Sequence, residues 1–290
     1  MILVSFADRR HRSHLRRLKR QARETGLYRS VLTLTEVDLD DAFRERHKDI
    51  LRRDVRGFGY WIWKPRVLEM ALAAAEPGEV VNYLDAGFFI RLSGVRRLEE
   101  YAKMAGESAC GILGFKSVPP NCWALSWDGR PLPVWRNREW TKRLLLERFE
   151  LCSDQDFLDD VTFEAGAIFV RNSSPGRAFV RSWLDIMESD YALIDDSESP
   201  EGEAEYFRGH RHDQACFNVL AYSHKIPFVS SREFWYPEPE TGRPDWDAHP
   251  ELPLQARRIR PKKPWYRRAS KRYRGFLRGL RPAASRLRRL

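Results

Sequence analysis

Cysteine is scarce in this 290-residue chain. Cys110, Cys122, Cys152 and Cys216 contain no Cys-x-x-Cys pair. They fit neither a zinc framework nor a dense disulfide scaffold, and a reducing cytoplasm is the simpler setting. Long apolar runs are also missing: nothing approaches the roughly 20 apolar residues that cross a bilayer. The first eight residues, Met-Ile-Leu-Val-Ser-Phe-Ala-Asp, run straight into a basic segment, which is the wrong order for a signal peptide. No internal repeat is found. What remains is a soluble or at most surface-attached chain, long enough to bury one substantial core.

Acidic residues are absent from residues 256–290, which carry 15 of the 51 Lys and Arg and leave 36 basic against 41 acidic residues in 1–255. The body is therefore mildly acidic and the tail strongly basic, an asymmetry suited to an anionic surface, whether lipid headgroups or nucleic acid. In the tail, Trp265, Ala269, Tyr273, Phe276, Leu280, Ala284, Leu287 and Leu290 recur at three- or four-residue steps between basic residues, the pattern of an amphipathic helix lying on a membrane. Gly275, Gly279 and Pro282 interrupt it, which favours two short helices or folding on contact.

The body alternates strand and helix signals. Residues 2–7 and 31–35 read as strands around a helix from about Arg9 to Glu24, a right-handed parallel unit. Residues 38–53 read as a charged helix. The glycine-spaced aromatic segment Arg56-Gly-Phe-Gly-Tyr-Trp-Ile-Trp-Lys-Pro65 leads into a helix through Leu72, with Pro65 in its first turn. Residues 80–84 form an apolar strand, 95–105 a helix and 109–115 a strand. The Pro- and Trp-rich stretch 117–137 reads as a long ordered loop of the kind that carries acceptor contacts. A helix near 137–149, a core strand 163–170, a helix from Pro175 to about Ser189, an acidic mobile loop 195–205, a helix opening at His212 and a last strand 226–229 complete the series. The expected fold is α/β, with a mostly parallel central sheet flanked by helices in residues 1–255 and a basic amphipathic tail in 256–290.

Val80-Val-Asn-Tyr-Leu-Asp-Ala-Gly87 is the most informative stretch. A buried strand that ends in a carboxylate delivers charge to the crevice where open α/β sheets bind ligands, although a turn or N-cap aspartate gives the same local pattern. Trp61-Ile-Trp-Lys-Pro65, Tyr83-Leu-Asp-Ala-Gly87 and His212-Asp-Gln214, in that order and spacing, resemble nucleotide-sugar-dependent glycosyltransferases of the GT-A fold, especially bacterial members that decorate capsule or lipopolysaccharide. The resemblance covers roughly residues 1–235. It implies transfer of a sugar from a nucleotide diphosphate donor to a saccharide or lipid-linked acceptor, with Mn or Mg as cofactor. Asp85 stands where the family has the first carboxylate of an Asp-x-Asp motif; the second is replaced, because the chain reads Asp85-Ala86-Gly87. Asp85, with His212 or Asp213 supplying another ligand, would then hold the metal the resemblance suggests, and Asp85, Glu164, Asp213 and Gln214 surround the reacting centre.

The chemistry gives each group a reason. Breaking the sugar–diphosphate bond leaves negative charge on the leaving oxygen, which a cation stabilises, and Lys64 and Arg66 are the nearby lysine and arginine. Glu164, at a strand edge, is placed to accept an acceptor hydroxyl proton, or is a solvated strand-end charge. Tyr60, Trp61 and Trp63 suit stacking on a base or a hexose, and of the two tryptophans one is assigned to the core and one to the site. Ser5, Phe6 and Asp8 close the first strand, where the resemblance places the base and ribose. Arg16 is within reach of a phosphate from a helix most of whose arginines are solvated. These assignments imply a cytoplasmic enzyme, peripheral on the inner face of the membrane through its tail. A nucleic-acid-binding protein using that tail is the alternative, which accounts for the tail and not for the embedded carboxylate.

Overall fold

The computed structural model describes residues 1–117, 134–235 and 245–257. The Pro- and Trp-rich stretch, for the most part, and the basic tail beyond Arg257 lie outside the described residues. Residues 1–257 form one compact unit. Its strands are β1 (Ile2–Phe6), β2 (Ser30–Leu34), β3 (Val80–Leu84), β4 (Phe89–Ile90), β5 (Ile112–Lys116), β6 (Phe163–Arg171), β7 (Phe228–Ser230) and β8 (Leu254–Gln255). Six of them make a sheet in the order β2-β1-β3-β6-β5-β7, and β4 pairs with β8 in a separate ribbon.

β1 pairs parallel with β2 and β3, and β5 parallel with β7; β6 alone runs antiparallel, against both β3 and β5. This is the mixed, mostly parallel α/β sheet expected from the sequence. Every residue of β1, β3 and β5 is buried, as central strands covered on both faces must be. Alternation divides the core accordingly. Ile2, Val4, Phe6, Val81 and Ile168 face one layer, and Leu3, Leu84, Leu113, Ala167 and Phe169 the other.

The helices are α1 (Arg12–Glu24), α2 (Asp41–Arg46), α3 (a single turn, Gly57–Tyr60), α4 (Trp63–Ala74) and α5 (Val95–Glu107). They continue with α6 (Asn137–Trp140), α7 (Arg143–Arg148), α8 (Gln155–Asp159), α9 (Ser174–Ser189) and α10 (Asp213–Ser223). α1 and α5 pack on one face of the sheet, and α4, α9 and α10 on the other. Ser173 starts α9 by accepting from the Gly176 N–H, with Pro175 in the first turn.

Three sequence readings need correction. The charged segment 38–53 is helical only over Asp41–Arg46, capped by the Asp40 carboxylate and followed by turns; Phe43 is the one residue that helix buries, while Leu39, Ile50 and Leu51 meet the core from outside it. The helix expected over 137–149 is two short pieces broken at Thr141–Lys142. Lys142, 1% exposed, sends its ammonium to the Ala192 carbonyl (2.7 Å) and Asp195 (3.1 Å). The acidic segment after Asp195 is accordingly held in place: Ser199 accepts from the Leu144 N–H (2.9 Å) and Glu203 from the Arg143 N–H (2.9 Å).

The entry to α4 is the least ordinary backbone in the chain. Gly57, Phe58, Gly59, Tyr60 and Trp61 all have φ between 52° and 91°. Left-handed conformations cost non-glycine residues roughly 1–2 kcal/mol each, so this turn persists only because its surroundings impose it. A Cβ on Gly57 would lie 2.4 Å from the Trp61 indole. Gly57→Ala is therefore expected to lower unfolding free energy by about 1–3 kcal/mol and to displace Trp61, read by urea denaturation with tryptophan fluorescence; wild-type stability would show that the turn is not constrained at this point.

Candidate functional site

The chain after β3 turns sharply. The Asp85 N–H bonds the Gly166 carbonyl (2.8 Å) and the Phe88 N–H closes back on the Asp85 carbonyl (2.9 Å), leaving the Asp85 side chain 42% exposed in the crevice at the strand tip. Because β6 runs antiparallel, its beginning, Phe163-Glu-Ala-Gly166, lies beside the end of β3. A Cβ on Gly166 would meet Asp85 Oδ2 at 3.1 Å, so the glycine makes room for the carboxylate.

Below Asp85 sits Lys64, 3% exposed, from the first turn of α4. Its ammonium lies 2.5 Å from Asp213 Oδ2 and 3.7 Å from Asp85 Oδ1, and donates to the Ala165 carbonyl at 3.0 Å. Asp213 is the first residue of α10, and its own carbonyl accepts from the Trp183 indole N–H (3.0 Å), which ties the helix start to α9. Tyr83 completes the cluster, donating its hydroxyl to Asp85 Oδ1 at 2.6 Å.

Burial opposes charge on Lys64, but Asp213 and then Asp85 outweigh it and raise its pKa, so it is an ammonium. Burial pushes Asp213 up to about 6 against the opposing pull of Lys64, leaving it ionised at neutral pH. Burial and the neighbouring Asp85 raise the Tyr83 phenol well above its ordinary range, so it remains a donor. The result is a protonated lysine between two carboxylates, one sealed and one half-exposed, with Asp85 Oδ1 turned to Lys64 and Tyr83 and Oδ2 lying against Gly166.

The remaining expected residues fall into four groups. Gln214 and Glu164 adjoin the cluster: Gln214 donates to the Phe163 carbonyl (2.7 Å), and Glu164 accepts from the Ser117 hydroxyl (2.9 Å). His212 is buried and stacked near Tyr60 and Trp61, with ring centroids 5.3 and 5.5 Å away. Its Nδ1 donates to the Ile194 carbonyl at 2.6 Å, burial lowers its pKa, and its Nε2 makes no hydrogen bond. Trp63 belongs to the core, 4.1 Å from Phe6 between ring centroids, and Ser5 is sealed in β1 with a hydroxyl that makes no hydrogen bond. The other three lie apart from Lys64: Asp8 caps the turn after β1 through the Arg10 N–H, Arg66 pairs with Asp40 and Glu69, and Arg16 is exposed.

Sequence reasoning missed Tyr83, Gly166 and Arg17. Arg17 Nη2 donates to the Ala86 and Phe88 carbonyls, both at 2.7 Å, and so clamps the loop that carries Asp85. In a helix with an arginine at almost every turn, no signal separates it from Arg16. Asn218 is a fourth: it accepts from the Phe163 N–H (2.6 Å) and donates to the Phe163 carbonyl (3.2 Å), fixing α10 against the start of β6. Its one-turn spacing from Gln214, on a helix already assigned to the site, was the available clue.

Asp85 and His212 do not share a ligand position. Asp85 contacts Lys64 and Tyr83, whereas the His212 ring is committed to Ile194 and the aromatic turn. Among the described residues no three His, Cys, Asp or Glu side chains converge to hold a metal ion, and the gap between Asp85 and Asp213 is filled by the Lys64 ammonium. The residues present do not fit a divalent ion held by Asp85 and His212.

Removing Lys64 leaves Asp213 buried and unpaired, so Lys64→Met is expected to cost about 3–5 kcal/mol of stability, and Lys64→Met with Asp213→Leu to recover a large part of it. Chemical denaturation of the two variants checks this; equal losses would show that the pair is not coupled.

No family model matches the chain, and no curated protein matches it. Solved structures similar to it include mouse xyloside xylosyltransferase 1 in its apo form (14% identity, 80% of this chain and 85% of that one, TM-score 0.39). Others are the galactosyltransferase LgtC in complex with donor and acceptor sugar analogs (13%, 90% and 84%, 0.40) and the bifunctional glycosyltransferase WbbM in its apo form (13%, 80% and 39%, 0.39). At such identities and scores these likenesses carry no weight for the activity, which is read from the Lys64 cluster itself.

Proposed function

We propose that the chain is a nucleotide-sugar-dependent glycosyltransferase, moving a sugar from a nucleotide diphosphate donor to a saccharide or lipid-linked acceptor. The observation that carries this reading is the Lys64 ammonium held between buried Asp213 and half-exposed Asp85 at the crevice edge of the sheet. Sugar hydroxyls are both donors and acceptors, and a rigid carboxylate with a free oxygen beside a fixed ammonium offers both in known positions. The Trp61–Lys64, Tyr83–Gly87 and His212–Gln214 segments that carry the family resemblance support it, since the fold gathers the three at one edge.

In this reading Asp85 Oδ2 binds a hydroxyl of the transferred sugar, Lys64 holds both carboxylates in place, and Asp213 anchors Lys64. Glu164, on the same edge, is the candidate base for the acceptor hydroxyl, and Gln214 positions β6 through Phe163. Tyr60 and Trp61 offer aromatic faces to the donor. Surface polysaccharide synthesis, and attachment of the tail to an anionic membrane, are part of the proposal. No helix among the described residues is long and apolar enough to cross a membrane.

Thermal-shift screening against a panel of nucleotide sugars, followed by a transfer or hydrolysis assay, tests the activity. Asp85→Asn is expected to retain the fold and lose about 100-fold in kcat/KM, the scale of a hydrogen bond to a charged group; full activity in that variant would defeat the assignment. Asp213 must be ionised to hold Lys64. Activity is therefore expected to fall as pH drops through about 6, where Asp213 takes up a proton, and to be level above it; a limb unchanged in Asp213→Asn would place the titrating group elsewhere.

A further inference from the structure

The loop that follows Asp85 lacks a second carboxylate and is wrapped in cationic side chains. Arg17 donates twice into it, through the Ala86 and Phe88 carbonyls, and its guanidinium carbon lies 3.6 Å from the Phe89 ring centroid. Arg257 approaches the same ring at 5.4 Å and the Trp246 ring at 5.5 Å. The Nε of each arginine is buried and makes no hydrogen bond, and among the described residues neither guanidinium forms an ion pair with a carboxylate. Lys64 already stands between Asp85 and Asp213 with three oxygen neighbours.

A divalent ion at a sugar-nucleotide site offsets the charge of the diphosphate and of the carboxylate beside it. Here that offset has another source. Lys64, Arg17 and Arg257 together carry one more charge than Asp85 and Asp213 remove, and Arg17 is fixed by two short hydrogen bonds to the loop itself. An ion bound by both carboxylates would have to expel a buried ammonium whose contacts suit it, at the cost of leaving that charge unpaired.

Building on the transferase reading, we infer that this site binds a nucleoside diphosphate without a metal ion, because Lys64 between the carboxylates and Arg17 with Arg257 at the Asp85 loop supply the positive charge. Arg17 is in this scheme a positioning residue as well as a charge: it holds the Ala86–Phe88 loop, and through it Asp85.

The test uses the full chain. Calorimetric titration with UDP and with GDP, each in EDTA and in Mn2+, reads the diphosphate, and loss of the free Mn2+ EPR signal on adding protein reads the ion. The affinity of whichever nucleotide binds is expected to agree within about threefold between the two buffers, and Arg17→Gln to weaken it by about tenfold. No Mn2+ site should disappear on Asp85→Asn, and Mn2+ binding that survives that change lies elsewhere and leaves the inference standing. Three results would overturn it: a loss of more than about tenfold in EDTA, a stoichiometric Mn2+ site abolished by Asp85→Asn, or unchanged affinity in a folded Arg17→Gln protein. The buffer comparison needs only wild-type protein, so a variant that fails to fold does not spare the inference. If neither nucleotide binds in either buffer, the transferase reading fails, and the Mn2+ titration still decides whether the Asp85 loop takes an ion.

Discussion

Everything at the crevice depends on one buried ammonium. Lys64 is almost wholly removed from water, and such a group stays charged only when opposite charge and hydrogen-bond acceptors surround it. Asp213, Asp85 and the Ala165 carbonyl provide these from α10, the tip of β3 and the start of β6. The lysine thus joins three elements distant in sequence at one point. In return its charge opposes the burial that pushes the Asp213 carboxyl up to about 6.

The antiparallel strand is what makes that meeting possible. In a wholly parallel sheet the residues beginning β6 would lie at the opposite edge from the end of β3. Reversal brings Ala165 and Gly166 against Asp85, and Gln214 and Asn218 then hold α10 onto Phe163 so that Asp213 faces Lys64. The left-handed turn at Gly57–Trp61 does the corresponding job for α4, swinging Tyr60 and Trp61 toward His212 while Trp63 drops into the core against Phe6. Local backbone strain is in this way coupled to the position of the lysine three residues later.

Much of this was legible in the sequence. The apolar run into Asp85, the proline in the first turn of α4 and the His-Asp-Gln start of α10 have local signatures, and they lie together in the fold. The direction of β6 has none: a mostly apolar run looks the same whichever way it pairs, and orientation is set by the neighbours it meets. Arg17 was hidden among solvated arginines because its role depends on backbone carbonyls at Ala86 and Phe88, about seventy residues away. Lys64 was read as a phosphate ligand, yet its hydrogen-bonding capacity is directed at carboxylates and a carbonyl, a distinction that only the position of Asp213 could supply.

The central claim, that the Lys64 cluster receives the sugar of a nucleotide donor, is met most directly by a crystal structure of the chain soaked with the nucleotide sugar that stabilises it most. The account predicts sugar hydroxyls within hydrogen-bonding distance of Asp85 Oδ2, with the Lys64–Asp213 pair intact beneath them. A donor seated away from Asp85, with no sugar hydroxyl on that oxygen, would contradict it.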